Sequence, residues 1–248
     1  MKRNENLIYG VRSVIETIQS GKHLEKIFIQ KNVNGDLVKE LMTMIKQFSI
    51  PFSKVPVEKI NRITTKNHQG VIAFVSPVQY HSLEHVLPSV FEQGKNPLLL
   101  VLDRITDVRN FGAIARAAEC MGVHAIVIPI KNGAQINADA IKTSAGALNY
   151  IPVCREQSLV EVIKYVKASG LKVVSCSDHS KINIDQSDFT SPLAIIMGSE
   201  EEGISQECLD LSDEQVVIPM TGHIASLNVS TASSIILYEV SRQRNQIN

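Results

Sequence analysis

The sequence predicts an α/β protein of two domains, a small one followed by a larger one built on a parallel sheet. Three observations carry this prediction. Runs of β-branched and aliphatic residues alternate with helical periodicity along the chain. The apolar runs beyond residue 97 are continuous rather than alternating, as in strands covered on both faces. The pattern breaks at 78–97, where prolines and a Gly-Lys-Asn turn read as a linker. The predicted boundaries are therefore 1–77, 78–97 and 98–248.

Each element follows from local pattern. Val11, Val14, Ile15 and Ile18 lie on one helical face and precede the strand Ile27-Phe28-Ile29. Leu37, Leu41 and Ile45 mark a second helix leading to Ile50-Pro51-Phe52, and the run from Val71 to Val75 closes the small domain. The linker carries one short amphipathic helix. Beyond it come a buried strand at 98–102 ending in Asp103, a helix at 110–121 and a strand at 125–128. A helix at 158–168 and strands at 171–175, 193–197 and 215–218 follow, and a long helix spans 226–244. There is no internal repeat and no low-complexity tract.

Composition excludes several classes. The 248 residues are 44% hydrophobic, with 25 basic and 25 acidic residues, a balance incompatible with disorder. Net neutrality conceals a split. Residues 1–77 hold 12 Lys and Arg against six acids, a surplus of +6, and the remainder carries −6. A basic front of this kind points to an anionic partner. Four scattered cysteines form no C-x-x-C pair, so they read as reduced core residues of a cytoplasmic protein rather than zinc ligands. His81 and His85 lack a third ligand nearby and read as a solvated helix face, so no metal is expected. The start has no apolar secretory core, and the run at 98–102 is too short to span a bilayer.

Three loops that follow strands stand out, because ligands of open α/β sheets bind beyond the carboxyl ends of strands. In the first, Asp103 ends a strand and a polar loop enters a helix through Asn110 and Gly112. Arg116 lies farther along, among small residues that leave room for a bulky anion to meet its five donors. In the second, Gly198 and Gly203 bracket Ser-Glu-Glu-Glu. The glycine spacing suits a phosphate loop, but Ile204 and Ser205 replace the required Lys-Ser/Thr and the glutamates would repel phosphate. A glutamate there suits a guanidinium or a sulfonium. In the third, Ile218-Pro219-Met220 ends a strand and Ser226-Leu227-Asn228 opens the last helix, with Ser226 as the expected N-cap. No G-x-G-x-x-G, nucleophile elbow or H-E-x-x-H is present.

Taken together, these segments resemble the SpoU/TrmH family of RNA ribose 2′-O-methyltransferases, in the SPOUT superfamily. Asn110, Gly112 and Arg116 are similar to the family's first motif, Met197 to Gly203 to its second, and Ile218 to Ser230 to its third. YGVRSVIE (9–16) and HQGVIAFV (68–75) resemble its ribosomal-protein-like α/β substrate-binding domain. One departure is Glu201, where the family usually has glycine. The resemblance implies a parallel-sheet SPOUT domain with a C-terminal trefoil knot, a homodimer, and S-adenosylmethionine held around Met197, Gly198, Gly203, Ile218, Pro219, Met220 and Leu227. It implies no metal and no membrane. Within the last helix, Ala232-Ser233-Ser234 would admit a neighbouring helix, and Val229, Ile236 and Val240 would supply an apolar stripe for the dimer.

The resemblance also assigns roles. Arg116 would activate the 2′-hydroxyl, and because guanidinium stays protonated it would do so by stabilising the developing alkoxide. One such contact is worth roughly 3 kcal/mol. Asn110, Ser226 and Asn228 would orient the ribose and Arg116, and Glu200 would hold Arg116 or the ligand. Arg12, Lys22, Lys26, Arg62 and Lys66 of the basic front would bind RNA. Long two-domain members point to a guanosine of 23S ribosomal RNA, with a transfer RNA guanosine as the second reading. A non-catalytic RNA-binding or ribosome-assembly factor is the reading from another class.

Overall fold

A computed structural model describes residues 6–224 and 226–245. The chain divides into two units, Met1–Gln79 and Tyr80–Asn248. The first contains β1 (Leu7–Tyr9), α1 (Val11–Gln19), β2 (Leu24–Gln30), α2 (Asp36–Gln47), β3 (Phe52–Val55), α3 (Val57–Ile63) and β4 (Val71–Val75). Its sheet has the order β1-β4-β2-β3, with β4 antiparallel to both neighbours and β3 parallel to β2. Side chains of β2 alternate between two cores. Ile27 and Ile29 pack with Val14 and Ile15 of α1 and Leu41 and Ile45 of α2. Phe28 points to the other face, with Ile60 of α3 and Ile72 of β4. An uninterrupted apolar triplet is what a strand covered on both faces requires.

The second unit contains β5 (Tyr80–His81), α4 (Leu83–Glu92), β6 (Leu98–Asp103), α5 (Val108–Cys120), β7 (Ala125–Pro129), α6 (Ala138–Thr143), β8 (Val153–Glu156), α7 (Leu159–Ala168), β9 (Lys172–Cys176), β10 (Leu193–Gly198), α8 (Gln206–Leu211), β11 (Glu214–Val216) and α9 (Val229–Asn245). Its seven strands run in the order β11-β9-β10-β6-β7-β8-β5, and every pairing is parallel. Leu99, Val101, Val127 and Ile196 meet α4, α7 and α8 through Leu87, Ile163, Val166 and Cys208. Beyond the opposite face, α5 packs on α6 and on α9. No helix among the described residues is long and apolar enough to cross a membrane.

Three expectations change. The segment 78–97 is not a bare linker, since Tyr80 and His81 pair with Val153 and Cys154, and α4 buries Leu83, Leu87 and Val90. A two-residue strand is too short for alternation to reveal. The last helix begins at Val229, not Ser226. Asn228 caps it, its carbonyl accepting from Ala232 N at 2.9 Å and its Oδ1 from Ser230 N at 3.0 Å. The stripe of Val229, Ile236 and Val240 is buried within the chain, where α9 lies along α5, and so presents nothing to a partner.

Candidate active site

Strands β6 and β10 lie side by side at the centre of the larger sheet, in register from Leu98 with Leu193 to Asp103 with Gly198. From this pair the order runs outward through β7 and β8 on one side and β9 and β11 on the other. The carboxyl ends of strands at such a reversal form the usual ligand crevice of open parallel sheets. Both of the first two polar loops leave from there.

The 198–203 loop is a closed turn. Ser199 N donates to Gly203 O at 3.2 Å, Gly203 N donates to Ser199 O at 3.0 Å, and Glu202 N donates to Ser199 Oγ at 3.1 Å. Gly203 adopts φ 66°, and a Cβ on Gly198 would lie 2.2 Å from the Gly203 carbonyl carbon. Both glycines are therefore demanded by the backbone, one by a left-handed conformation and one by close approach.

Glu200 joins the three polar segments. Its Oε1 accepts from Asn110 Nδ2 at 3.0 Å, from Val229 N at 3.2 Å, and from Asn228 Nδ2. Asn228 Nδ2 also donates to Asn110 Oδ1 at 3.1 Å. Asn110 is held in turn by Asp107, whose Oδ1 caps α5 by accepting from Arg109 N and Asn110 N, each at 2.8 Å. A carboxylate fed by neutral donors at the start of α9 is also favoured by the helix dipole. Glu200 thus holds two asparagines rather than Arg116.

The remaining expected residues fall in different places. Met197, Gly198, Gly203, Ile218, Met220, Leu227 and Ser226 line a cavity of about 300 Å³ together with Glu200 and Asp178; Pro219 sits between two of its lining residues. No Lys or Arg is among the described lining residues, so a polyphosphate is disfavoured and a cationic ligand of small-molecule size is suited. The loop carrying Glu200 and Glu201 also borders a second hollow of about 420 Å³, which Arg104, Asp107 and Asn110 line. Ser226 makes no hydrogen bond to the described residues. Arg116 is exposed on α5 and likewise pairs with none of them, neither with Asp103 nor with Glu119. Gly112 admits the close approach of α6, because a Cβ there would lie 2.7 Å from Ala140 O.

Burial pushes the Cys176 thiol in the cavity wall up to about 11, with Asp178 adding to the effect. The thiol is therefore neutral at physiological pH and no nucleophile. No group of three His, Cys, Asp or Glu among the described residues is placed to hold a metal ion.

In the smaller unit the five expected RNA contacts lie on several different elements. Arg12 lies on α1, with its Nε 3.7 Å from Glu16 in an exposed pair of little energetic weight. Lys22 and Arg62 are exposed. Lys26 lies against the other sheet face, its Nζ 5.4 Å from the Phe28 ring centre, and Lys66 lies 5.2 Å from that of Tyr9. Lys59, which the sequence reading passed over, stands 4.8 Å from the Phe28 ring. Asp107 also escapes the sequence pattern above, although an Asp directly before the apolar Val108 is a legible N-cap signal.

Comparison with known proteins agrees with this arrangement. Residues 97–238 match the SpoU rRNA Methylase family, and residues 7–81 match the model for RNA 2′-O ribose methyltransferase substrate binding. The protein is 31% identical over 247 residues to YacO of Bacillus subtilis, named as a TrmH family tRNA/rRNA methyltransferase, covering 100% of this chain and 99% of that one. It is 33% identical over 243 residues to the 23S rRNA (guanosine-2′-O-)-methyltransferase RlmB of Photobacterium profundum, covering 97% and 99%. Among solved structures it is similar to the SpoU methyltransferase AviRb from Streptomyces viridochromogenes in complex with AdoMet. That match has TM-score 0.62 and 25% identity, and covers 97% of this chain and 90% of the other. Matched through both its units, this chain belongs to the SpoU/TrmH family of RNA 2′-O-methyltransferases.

Proposed function

We propose that this protein transfers a methyl group from S-adenosylmethionine to the ribose 2′-hydroxyl of a guanosine in 23S ribosomal RNA. The observation that carries the proposal is the junction at Glu200, where Asn110 and Asn228 converge beside a cavity whose wall is acidic and apolar. Bound there, the cofactor supplies an electrophilic methyl group on a positive sulfonium. Met197, Ile218 and Leu227 offer it apolar contact, and the acidic wall compensates its charge. The hollow across the loop, which Asn110 lines, receives the ribose; Asn228, bonded to Asn110, and Ser226, on the cofactor side, complete its orientation.

Arg116, exposed on α5, would clamp the neighbouring phosphate and stabilise the developing alkoxide, while the bound cofactor would supply the methyl group. The proton of the hydroxyl passes to a phosphate oxygen, since the guanidinium cannot accept it. Arg12, Lys22, Lys26, Arg62 and Lys66 hold the RNA strand on the smaller unit. The working form is a cytoplasmic homodimer. What supports pairing is a shallow α5–α9 face where exposed Tyr238 stands beside the half-buried Ala113, Ser234 and Ile235, not the buried stripe of α9. A trefoil knot is proposed for the C-terminal part. The chain leaves β10, passes β9 to form β11, and returns to Glu200 at Asn228, as a threaded loop would. A transfer RNA guanosine is the second target, since the name of YacO covers both tRNA and rRNA.

The test is methyl transfer from labelled S-adenosylmethionine to purified 23S and transfer RNA, followed by mapping of 2′-O-methylation. A methylated guanosine in 23S RNA is expected, and Arg116→Ala abolishes the signal while cofactor binding stays near normal. Transfer to neither RNA class refutes the enzyme reading and leaves the RNA-binding factor.

A further inference from the structure

Arg104 is the first residue after β6, and it holds φ 58°, a left-handed conformation that side chains other than glycine rarely adopt. Its guanidinium spans to the next loop. Nη1 donates to Glu202 Oε2, and Nη2 donates to Gly203 O at 3.2 Å and, at 3.5 Å, to Glu202 O. Nε is buried without a hydrogen-bond partner, 3.6 Å from Asp103 Oδ1. Asp103 reaches the same loop from the preceding position, its Oδ2 accepting from Ser205 N at 2.6 Å. A backbone held in an unfavourable conformation, with one donor left unsatisfied, indicates that the remaining contacts outweigh both costs.

We infer that Arg104 is a positioning residue for the cofactor, a clasp that fastens the Glu202–Gly203 half of the loop to the end of β6 and so shapes the wall of the 300 Å³ cavity. The Glu200 half is fastened separately, by Asn110 and Asn228. Arg104 therefore acts on the cofactor wall through Glu202 and Gly203, while Glu200 borders both the cavity and the hollow across the loop. Lysine cannot replace this arginine, because a single ammonium cannot reach a carboxylate and a carbonyl in fork geometry. The inference rests on the cofactor assignment proposed above.

The experiment is calorimetric titration of the full-length protein with S-adenosylmethionine, comparing wild type, Arg104→Ala, Arg104→Lys and Arg104→Gly, with melting temperatures alongside. Loss of charge-assisted contacts raises Kd about tenfold in the alanine and glycine variants, and less in the lysine variant. Arg104→Lys recovers part of the affinity lost in Arg104→Ala because it keeps the charge beside Glu202, a rescue that general unfolding does not produce. Glycine adopts φ 58° without strain, so Arg104→Gly melts above Arg104→Ala and serves if the alanine variant fails to fold. A folded Arg104→Gly that binds S-adenosylmethionine as wild type does overturns the clasp. Absence of binding to the wild-type protein overturns the cofactor assignment, and the clasp with it.

Discussion

Replacing Glu200 with alanine removes one oxygen on which three donors converge: Asn110 Nδ2, Asn228 Nδ2 and Val229 N. Bonds to a charged acceptor reach about 1.5–3 kcal/mol each when water is excluded. Here Glu200 and Asn228 are exposed, so water replaces much of what is lost, and the three bonds together are worth about 2 kcal/mol. At roughly 2–4 °C per kcal/mol for a protein of this size, Tm falls by about 4–8 °C. Glu200→Gln keeps an acceptor oxygen but loses the charge, and charge-assisted bonds are roughly twice as strong as neutral ones, so about half the loss is expected. Methyl transfer falls much further, about a hundredfold in Glu200→Ala, because Asn110 and Asn228 lose their shared anchor. Calorimetric melting and initial rates with labelled cofactor measure the two effects. If Glu200→Ala melts and turns over like wild type, the junction does not hold the three segments together.

Four further outcomes are expected. Gly112→Ala drives a Cβ to 2.7 Å from Ala140 O and 2.8 Å from Thr143 Cβ, so α5 and α6 must separate; about 1–3 kcal/mol of stability is lost, read as a lower melting point, and an unchanged one contradicts the packing. Burial raises the thiols of Cys154, to about 12, and of Cys176, to about 11, and raises Cys208 as well, whereas Cys120 is exposed. Iodoacetamide therefore labels Cys120 first by peptide mapping. A raised folded-state value favours the protonated fold, so the stability linked to Cys176 is complete below about pH 9 and is lost as pH rises toward about 11; Cys176→Ala flattens that decline. Replacing Lys26 and Lys66 by glutamine lowers the salt dependence of RNA binding by about 0.7 in log–log slope per lost contact with single-stranded RNA, and an unchanged slope places the RNA elsewhere.

Much of this fold is legible in the sequence, because its central strands are buried on both faces. Leu98 to Leu102 and Leu193 to Met197 read as strands for the reason that they occupy the middle of the sheet. What escapes notice is short or marginal. β1 has three residues, β5 two, and α6 and α8 six each, too few for a period to show. Ser226 and Asn228 are equally good caps by chemistry, and only the position of Val229 decides between them. The site was legible as residue types. Asn110, Glu200 and Asn228 do meet, whereas the pairing of Glu200 with two amides rather than with Arg116 depends on geometry that no spacing conveys. Arg104 escaped entirely, since a backbone conformation leaves no trace in an arginine codon. The apolar residues of α9 misled in the opposite sense, because periodicity marks a buried face without saying what buries it.

The pairing of β6 with β10 has a consequence for when the enzyme comes into being. Asn110 finds Asn228 118 residues farther along the chain, and Leu98 must wait for Leu193 before the centre of the sheet can close. Contacts so distant in sequence pay their loop-closure entropy before they return any stability, which slows folding. On the ribosome, a nascent chain that has displayed its entire basic front and most of its sheet still lacks Asn228 and the helix that follows. The emerging front can therefore fold before Asn228 reaches Asn110 and Glu200 to complete the junction between the three polar segments.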